Sequence, residues 1–316
     1  MKKMTMRDTA EYLLTHDNYC ILTHRRPDGD TIGSAAALCR LLRRQGKTAH
    51  ILRNREITPR FAWLHEGLTV EAPGEEDILI SVDVASPNML GEQFAQYQDR
   101  IALRIDHHSA ATSFTEMELV DSDAAACAEL IFDLIQTLWQ DPDPEMADAL
   151  YVGTSTDTGC FRFSNTTAHS FLTAAFCAQN GARVYELNQQ LFETNTLGRL
   201  KIQSWILEHM EFFRDGTMAL VAIPASVEAE IGVTEDDMDN ISNFPRSIDG
   251  VRMAATLREE GNGLVKLSVR AMPGFDATAV AVKFGGGGHK GAAGASFRCS
   301  LAEAAEKVKQ AMEKLG

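Results

Sequence analysis

The stretch His24-Arg25-Arg26-Pro27-Asp28-Gly29-Asp30 sets two carboxylates and an imidazole within seven residues. Carboxylates that close repel one another unless protons or cations neutralise them, so the spacing points to a metal. Three further segments end in the same residue types. Asp83 closes the apolar run Ile78-Leu79-Ile80-Ser81-Val82, and Asp106-His107-His108 closes Ile101-Ala102-Leu103-Arg104-Ile105. Thr156-Asp157-Thr158-Gly159 follows a helical run. Aspartate oxygens dominate, with one or two imidazoles and no thiolate. That disfavours structural zinc and suits Mn²⁺, with Mg²⁺, Fe²⁺ and Co²⁺ as alternatives. Four or five carboxylates exceed the needs of one divalent ion, so two are expected. A pair ~3.5–4 Å apart lowers the pKa of a shared water and holds both oxygens of an in-line phosphoryl displacement. Each segment alone has a simpler reading, since an Asp after a strand commonly caps the next helix, as Asp30 would ahead of Thr31–Arg44. Their recurrence favours a metal centre that hydrolyses a phosphate ester.

A second signal lies near the other end, in Gly285-Gly286-Gly287-Gly288-His289-Lys290-Gly291-Ala292-Ala293-Gly294. Small side chains let backbone N–H groups approach an anion, and the expected start of a small-residue helix adds a favourable dipole. His289 and Lys290 bring positive charge. Arg270 ends the strand-like run Val265–Val269 and is a candidate bidentate phosphate clamp.

These residues need elements to position them. Up to about residue 165, strand-like runs (Tyr19–Thr23, Ala49–Leu52, Asp77–Val82, Arg100–Ile105) alternate with helical patterns. The helical patterns are Met6–Thr15, Thr31–Arg44, Gly91–Gln98, Ala124–Trp139 and Pro144–Ser155. Such alternation predicts an α/β domain, a mainly parallel sheet with helices on both faces. Parallel strands present their carboxyl ends on one edge, where the first three polar clusters would converge. Val184–Phe213 reads as nearly continuous helix. After it come strands at Met218–Ile223, Met253–Arg258 and Leu264–Arg270, the last two joined by a Gly261-Asn262-Gly263 turn, then helices at Asp276–Phe284 and Leu301–Leu315. The expected organisation is a first domain over 1–190, a helical connector over 191–215 and a smaller α/β domain with a mixed sheet over 216–316.

The 316 residues are 45% hydrophobic and 23% charged, the composition of a soluble globular protein. A net charge of −14 argues against a grip on long duplex nucleic acid, which needs dense Lys/Arg contacts to phosphates. It leaves room for a small phosphorylated substrate held by a few cations. Six cysteines are scattered without a C-x-x-C pair, which reads as buried free thiols. With no signal-peptide core and no apolar run near the ~20 residues of a membrane span, a cytoplasmic protein is expected. Arg104 is out of place on a buried strand; it either pairs with an acidic neighbour or faces the substrate.

Taken together, His24-x-x-Pro27-Asp28-x-Asp30-x-x-Gly33-Ser34, Val82-Asp83, Asp106-His107-His108 and Thr156-Asp157-Thr158-Gly159 resemble the four motifs of the DHH phosphoesterases. Ser268-Val269-Arg270 and Gly286-Gly287-Gly288-His289-x-x-Ala292-Ala293-Gly294 are similar to the DHH-associated C-terminal domain. The motifs span nearly the whole chain in family order. The short two-domain length is most similar to the nanoRNase/pAp phosphatase (NrnA-like) branch. RecJ-type exonucleases are longer, and membrane-bound cyclic-di-AMP phosphodiesterases carry extra N-terminal regions.

The resemblance implies that His24, Asp28 and Asp83 hold one Mn²⁺. It gives the other to Asp30, Asp83, His107 and Asp157, with Asp83 bridging. Asp106 would orient an imidazole or a bound water, and His108 would contact the scissile phosphate. Ser268, Arg270, His289 and the Gly287-Gly288 backbone would bind the substrate's other phosphate or sugar across a cleft between the domains. The segment Phe161-Arg162-Phe163-Ser164-Asn165 resembles the family's stretch after the fourth motif. The implied activity is hydrolysis of short 5′-phosphorylated oligonucleotides and of 3′-phosphoadenosine 5′-phosphate. A phosphodiesterase for pApA, pGpG or cyclic-di-AMP is the near alternative, and a catalytically inactive nucleotide-binding regulator the alternative of another class. A homodimer is implied by the resemblance alone.

Overall fold

The computed structural model describes residues 2–108, 113–139, 141–260 and 263–315. They form two compact units, Met1–Thr194 and Asn195–Gly316. No helix among the described residues is long and apolar enough to cross a membrane.

The first unit is built on a seven-stranded, all-parallel sheet. Its strands are β1 (Lys2–Lys3), β2 (Tyr19–Leu22), β3 (Ala49–Leu52), β4 (Thr69–Val70), β5 (Ile78–Val82), β6 (Ile101–Asp106) and β7 (Met117–Val120), in the order β1-β7-β6-β5-β2-β3-β4. Both faces are covered, and residue alternation shows it. Tyr19 and Ile21 pack into a large core with Ile32, Leu38, Leu130 and Leu150, whereas Cys20 and Leu22 join a smaller one with Leu90 and Phe94. A strand buried on both sides reads as a continuous apolar run, which is why Tyr19–Leu22 is legible in the sequence. The two edge strands β1 and β4, of two residues each, are too short to show a period.

Chain order runs outward from β2 to β4, then returns to β5 on β2's other side. The direction of winding therefore reverses between β2 and β5. In open α/β sheets the crevice at that reversal receives the ligand.

The second unit carries a mixed six-stranded sheet of β8 (Glu211–Phe213), β9 (Met218–Ile223), β10 (Met253–Glu260), β11 (Leu264–Ala271), β12 (Gly287–His289) and β13 (Ala292–Phe297), ordered β12-β13-β11-β10-β9-β8. Only β9 and β10 run parallel. The helix Leu301–Glu313 contributes Ala304, Val308 and Met312 to the core beneath it. The first two residues of the expected Gly261-Asn262-Gly263 turn lie outside the described residues.

Two expectations are corrected. The stretch 184–213 is not one helix: Val184–Asn188 widens into a π turn at Gln189–Glu193, and a new helix begins at Leu197. Thr196 caps that helix by accepting from the Arg199 N–H, and the helix buries Ile202 and Ile206 against Val221 and Ile223 of the second unit. Nor does a helix begin in the Gly-rich segment, which instead forms the hairpin of β12 and β13.

Candidate metal centre

The loops after β2, β5 and β6 and the end of one helix deliver the acidic and imidazole groups to one place. Asp28, rather than Asp30, caps the first long helix (Gly29–Arg44), its Oδ1 accepting from the N–H groups of Asp30 and Thr31. Asp30 is fully buried and points across to another helix, Cys127–Thr137. Its oxygens accept from the N–H groups of Cys127 at 2.6 Å and Ala128 at 2.9 Å. The Asp therefore caps a helix ~100 residues further along the chain, a tertiary contact no local pattern displays.

Asp83, one residue beyond β5, adopts φ 58°, a left-handed conformation uncommon outside glycine. Such strain concentrates where a side chain must be aimed. Its Oδ2 lies 3.5 Å from His24 Nε2 and its Oδ1 3.4 Å from His107 Nε2. Asp157 ends the helix Pro144–Asp157, and its Oδ2 lies 3.4 Å from His107 Nε2. Both imidazoles are oriented through their other nitrogen. His24 Nδ1 sits 2.7 Å from the Arg25 carbonyl and His107 Nδ1 3.2 Å from that of Ala124, so each Nδ1–H donates and each Nε2 faces the carboxylates.

Glycines make the convergence possible. A Cβ on Gly33 would stand 2.3 Å from the Ala149 carbonyl oxygen, and one on Gly153 would stand 2.6 Å from Ala128 Cβ. The absent side chain at Gly33 lets the helix that carries Asp30 press against the helix that carries Asp157, and that at Gly153 admits Ala128 of the helix Cys127–Thr137 and the Asp30 carboxylate. A Cβ on Gly29 would likewise strike Thr156.

The donors fit divalent cations. His24, Asp28 and Asp83 place one ligand atom each within 4.8 Å of one another, as do Asp30, His107 and Asp157, and Asp83, His107 and His108. In the last group His108 Nδ1 is already engaged with Asp106 Oδ1 at 2.7 Å, which leaves the other two as the candidate cation sites. Asp83 Oδ1 is buried with no hydrogen-bond partner among the described residues, a costly condition that a cation removes. Four carboxylates, those of Asp28, Asp30, Asp83 and Asp157, match the charge of two divalent ions.

Titration behaviour reflects the same crowding. Burial and then the Asp83 charge push Asp30 up to about 7. Burial, followed by the charges of Asp30 and Asp28, raises Asp157 well above the carboxylate range. Burial acts to lower His107, yet contact with Asp83 and the charge of Asp30 outweigh it and raise the imidazole to about 11. Without metal, protons do the neutralising.

Arg104 and Asn54 belong to the surroundings of this centre, and only Arg104 stood out in the sequence. Arg104 is 2% exposed and lies between Asp106 and Glu118, so of its two readings the ion pair holds. Asn54, just past β3 and 2% exposed, donates through Nδ2 to Thr23 Oγ1 and to the His24 carbonyl. Its Oδ1 accepts from the Glu56 N–H and from Gln93. A buried Asn directly after an apolar run was the available signal.

In the second unit β11 alternates, with Lys266, Ser268 and Arg270 on its less buried face. Pairing places Arg270 opposite Ala292 and Ala292 opposite His289, so these three form a row across β11, β13 and β12. Ser268, Gly294 and Gly287 form the next row but one. Residues directly opposite share a face, and small Ala292 keeps the space between Arg270 and His289 open. Arg270 Nε donates to Asn243 Oδ1 at 2.9 Å. The glycines serve strand approach: a Cβ on Gly286 would lie 2.0 Å from the Gly294 carbonyl, and one on Gly288 2.5 Å from that of Ala292.

A parallel sheet with carboxylates and imidazoles massed at its winding reversal defines a metal-dependent phosphoesterase fold. Residues 18–154 match the DHH family N-terminal domain and residues 218–315 the DHHA1 domain, and the chain belongs to the DHH family. It is 33% identical, over 97% of its length and 93% of the relative's, to a bifunctional oligoribonuclease and PAP phosphatase NrnA of Thermus thermophilus. The protein of the same description from Bacillus subtilis is 28% identical over 89% of this chain and 90% of its own. An exopolyphosphatase-related protein from Bacteroides fragilis shares the fold, with a TM-score of 0.83 at 24% identity over 98% of this chain and 95% of its own.

Proposed function

We propose that this chain hydrolyses short oligoribonucleotides and the 3′-phosphate of 3′-phosphoadenosine 5′-phosphate, using two divalent cations. The observation that carries the reading is the meeting of His24, Asp28, Asp30, Asp83, His107 and Asp157, with ligand atoms within 4.8 Å inside each cation group. Similarity along almost the full chain to proteins described as acting on those substrates supports it.

His24, Asp28 and Asp83 would hold one ion; Asp30, His107 and Asp157 would hold the other, with Asp83 shared. Mixed imidazole and carboxylate donors suit Mn²⁺ better than Mg²⁺. When bound, the ions supply Lewis acidity at the phosphoryl oxygens. The Arg25 and Ala124 carbonyls fix the tautomers of His24 and His107. Asp106 Oδ1 takes the Nδ1–H of His108. Burial acts to lower this imidazole, yet that contact together with the charge of Asp83 outweighs it and favours the imidazolium, whose Nε2–H would stabilise charge growing on the phosphoryl oxygens. Ser268, Arg270, His289 and the Gly287-Gly288 backbone are read as the grip on the substrate's distal phosphate or sugar. Six unpaired cysteines suit a reducing cytoplasm.

Purified protein with Mn²⁺ should shorten tri- to pentanucleotides and release phosphate from the bisphosphate, two activities that a phosphodiesterase confined to pApA, pGpG or cyclic-di-AMP would lack. Asp157→Asn should remove turnover on all of them. No hydrolysis of the first two substrates by folded, metal-loaded protein would sink the proposal.

A further inference from the structure

Arg104 occupies the interior of β6, where an apolar side chain would be cheaper to bury. Arg104 and Asp106 are two residues apart on one strand, so their side chains leave the same face. Arg104 Nη1 donates to Asp106 Oδ2 at 3.2 Å and to the carbonyls of Val84 and Ala85 at 3.4 and 3.3 Å. Nη2 lies 3.1 Å from Glu118 Oε2 on the neighbouring strand, in register with Arg104. Glu118 is itself held, its Oε1 accepting from Ser113 Oγ at 2.7 Å. Phe114 covers the guanidinium, 5.5 Å from ring centre to Cζ. Beyond Asp106 the chain of contacts ends on His108 Nδ1.

We infer that Arg104 and Glu118 are positioning residues for phosphate hydrolysis: they form a buried brace that fixes Asp106, and through it the direction in which His108 offers Nε2. The contacts to Val84 and Ala85 tie the loop that leaves Asp83 to the same guanidinium, so one side chain registers two strand ends against each other. A planar five-donor fork can serve four acceptors at once, whereas an ammonium cannot. The brace is a feature of fold and charge together: β7 supplies Glu118, β6 supplies Arg104 and Asp106, and the loop after β5 supplies the two carbonyls. The inference rests on His108 acting on the phosphate as proposed above.

The test is the double variant Arg104→Met/Glu118→Met, which removes both charges while keeping volume. If the pair only held the fold, restoring neutrality would restore activity. Under the inference kcat falls roughly 10–100-fold while KM stays within about twofold, the pattern of a group needed for chemistry rather than binding. The loss disappears in a His108→Ala background, because both changes act through one imidazole. In ¹⁵N-histidine-labelled, metal-free protein, the Nδ1–H resonance that vanishes in His108→Ala should also be lost in the double variant. Wild-type kcat, an undiminished effect in the His108→Ala background, or an unaltered resonance each overturns the inference. Should the double variant not fold, Arg104→Lys decides: a reduced kcat at constant KM supports the brace, and wild-type kcat refutes it. The resonance reports on the brace even if the natural substrate proves to be another phosphate ester, so failure of one reading is separable from failure of the other.

Discussion

Gly33→Ala tests whether the close approach of two helices creates the metal centre. The new Cβ would start 2.3 Å from the Ala149 carbonyl oxygen and 3.0 Å from the Gly153 nitrogen. A comfortable carbon–oxygen contact is ~3.3 Å, so the shortfall is ~1 Å. Both obstructing atoms are backbone, and neither can rotate away. The helices Gly29–Arg44 and Pro144–Asp157 must therefore part by about that ~1 Å. Overpacking of this kind costs ~1–3 kcal/mol. Against it stands the ~1 kcal/mol that alanine gains over glycine inside a helix. The expected net loss of ~0–2 kcal/mol lowers Tm by no more than roughly 8 °C for a unit of this size. Activity should suffer more than stability. Parting the helices moves Asp28 and Asp30 away from Asp157, and a ~1 Å misplacement can cost ~100-fold in rate. Thermal unfolding, Mn²⁺ titration and initial rates on the bisphosphate give the three readouts. A variant with wild-type Tm, metal affinity and kcat/KM would refute the claim that this crossing sets the ligand geometry.

Three other outcomes are expected. His65 is buried, its Nε2–H bonded to the Ile32 carbonyl, and burial lowers it to about 4 despite that bond. The unfolded chain protonates near 6.5 while the folded one does not, so stability is complete above pH 6.5 and falls as pH drops toward 4, by up to about 3 kcal/mol; denaturant melts across that window should flatten in His65→Gln. Asn54→Ala leaves the His24 carbonyl and Thr23 without their buried donor, so chemical denaturation should show a loss of ~1–3 kcal/mol, and calorimetry weaker Mn²⁺ binding. Arg270→Lys keeps the charge but loses the planar fork, so KM for the bisphosphate should rise about tenfold with kcat nearly retained; a kcat loss at constant KM would contradict a binding role.

What the sequence displays, and what it hides, divides along the range of the interactions. Continuous apolar runs bounded by polar clusters reveal β2, β5 and β6 and mark His24, Asp83 and Asp106-His107-His108 at their ends. Position in a parallel sheet then explains why they meet. Asp30 misleads, because its type and place suit a cap for its own helix, while its real partners are N–H groups of a helix begun at Cys127. Arg104 looks anomalous until Glu118 on the adjacent strand is seen beside it, and register across strands is not written in either strand alone. The Gly-rich segment suggests an anion-binding helix start because flexible backbone is common to that motif and to tightly apposed strands. Hydrophobic spacing over 184–213 satisfies a helical period throughout, although the chain turns at Thr194–Thr196 to change units.

The double duty of Asp30 bears on how such a chain diverges. One carboxylate both faces His107 and closes the first turn of the Cys127–Thr137 helix. The Asp157 carboxylate, by contrast, caps no other helix among the described residues and faces only His107 and Asp30 of the centre. In a lineage released from selection for hydrolysis, substitutions at Asp157 would accumulate freely, while those at Asp30 would still be purged for uncapping a buried helix. A descendant retaining Asp30 but lacking Asp157 has therefore kept an architectural residue, and the surviving aspartate is no sign of surviving activity.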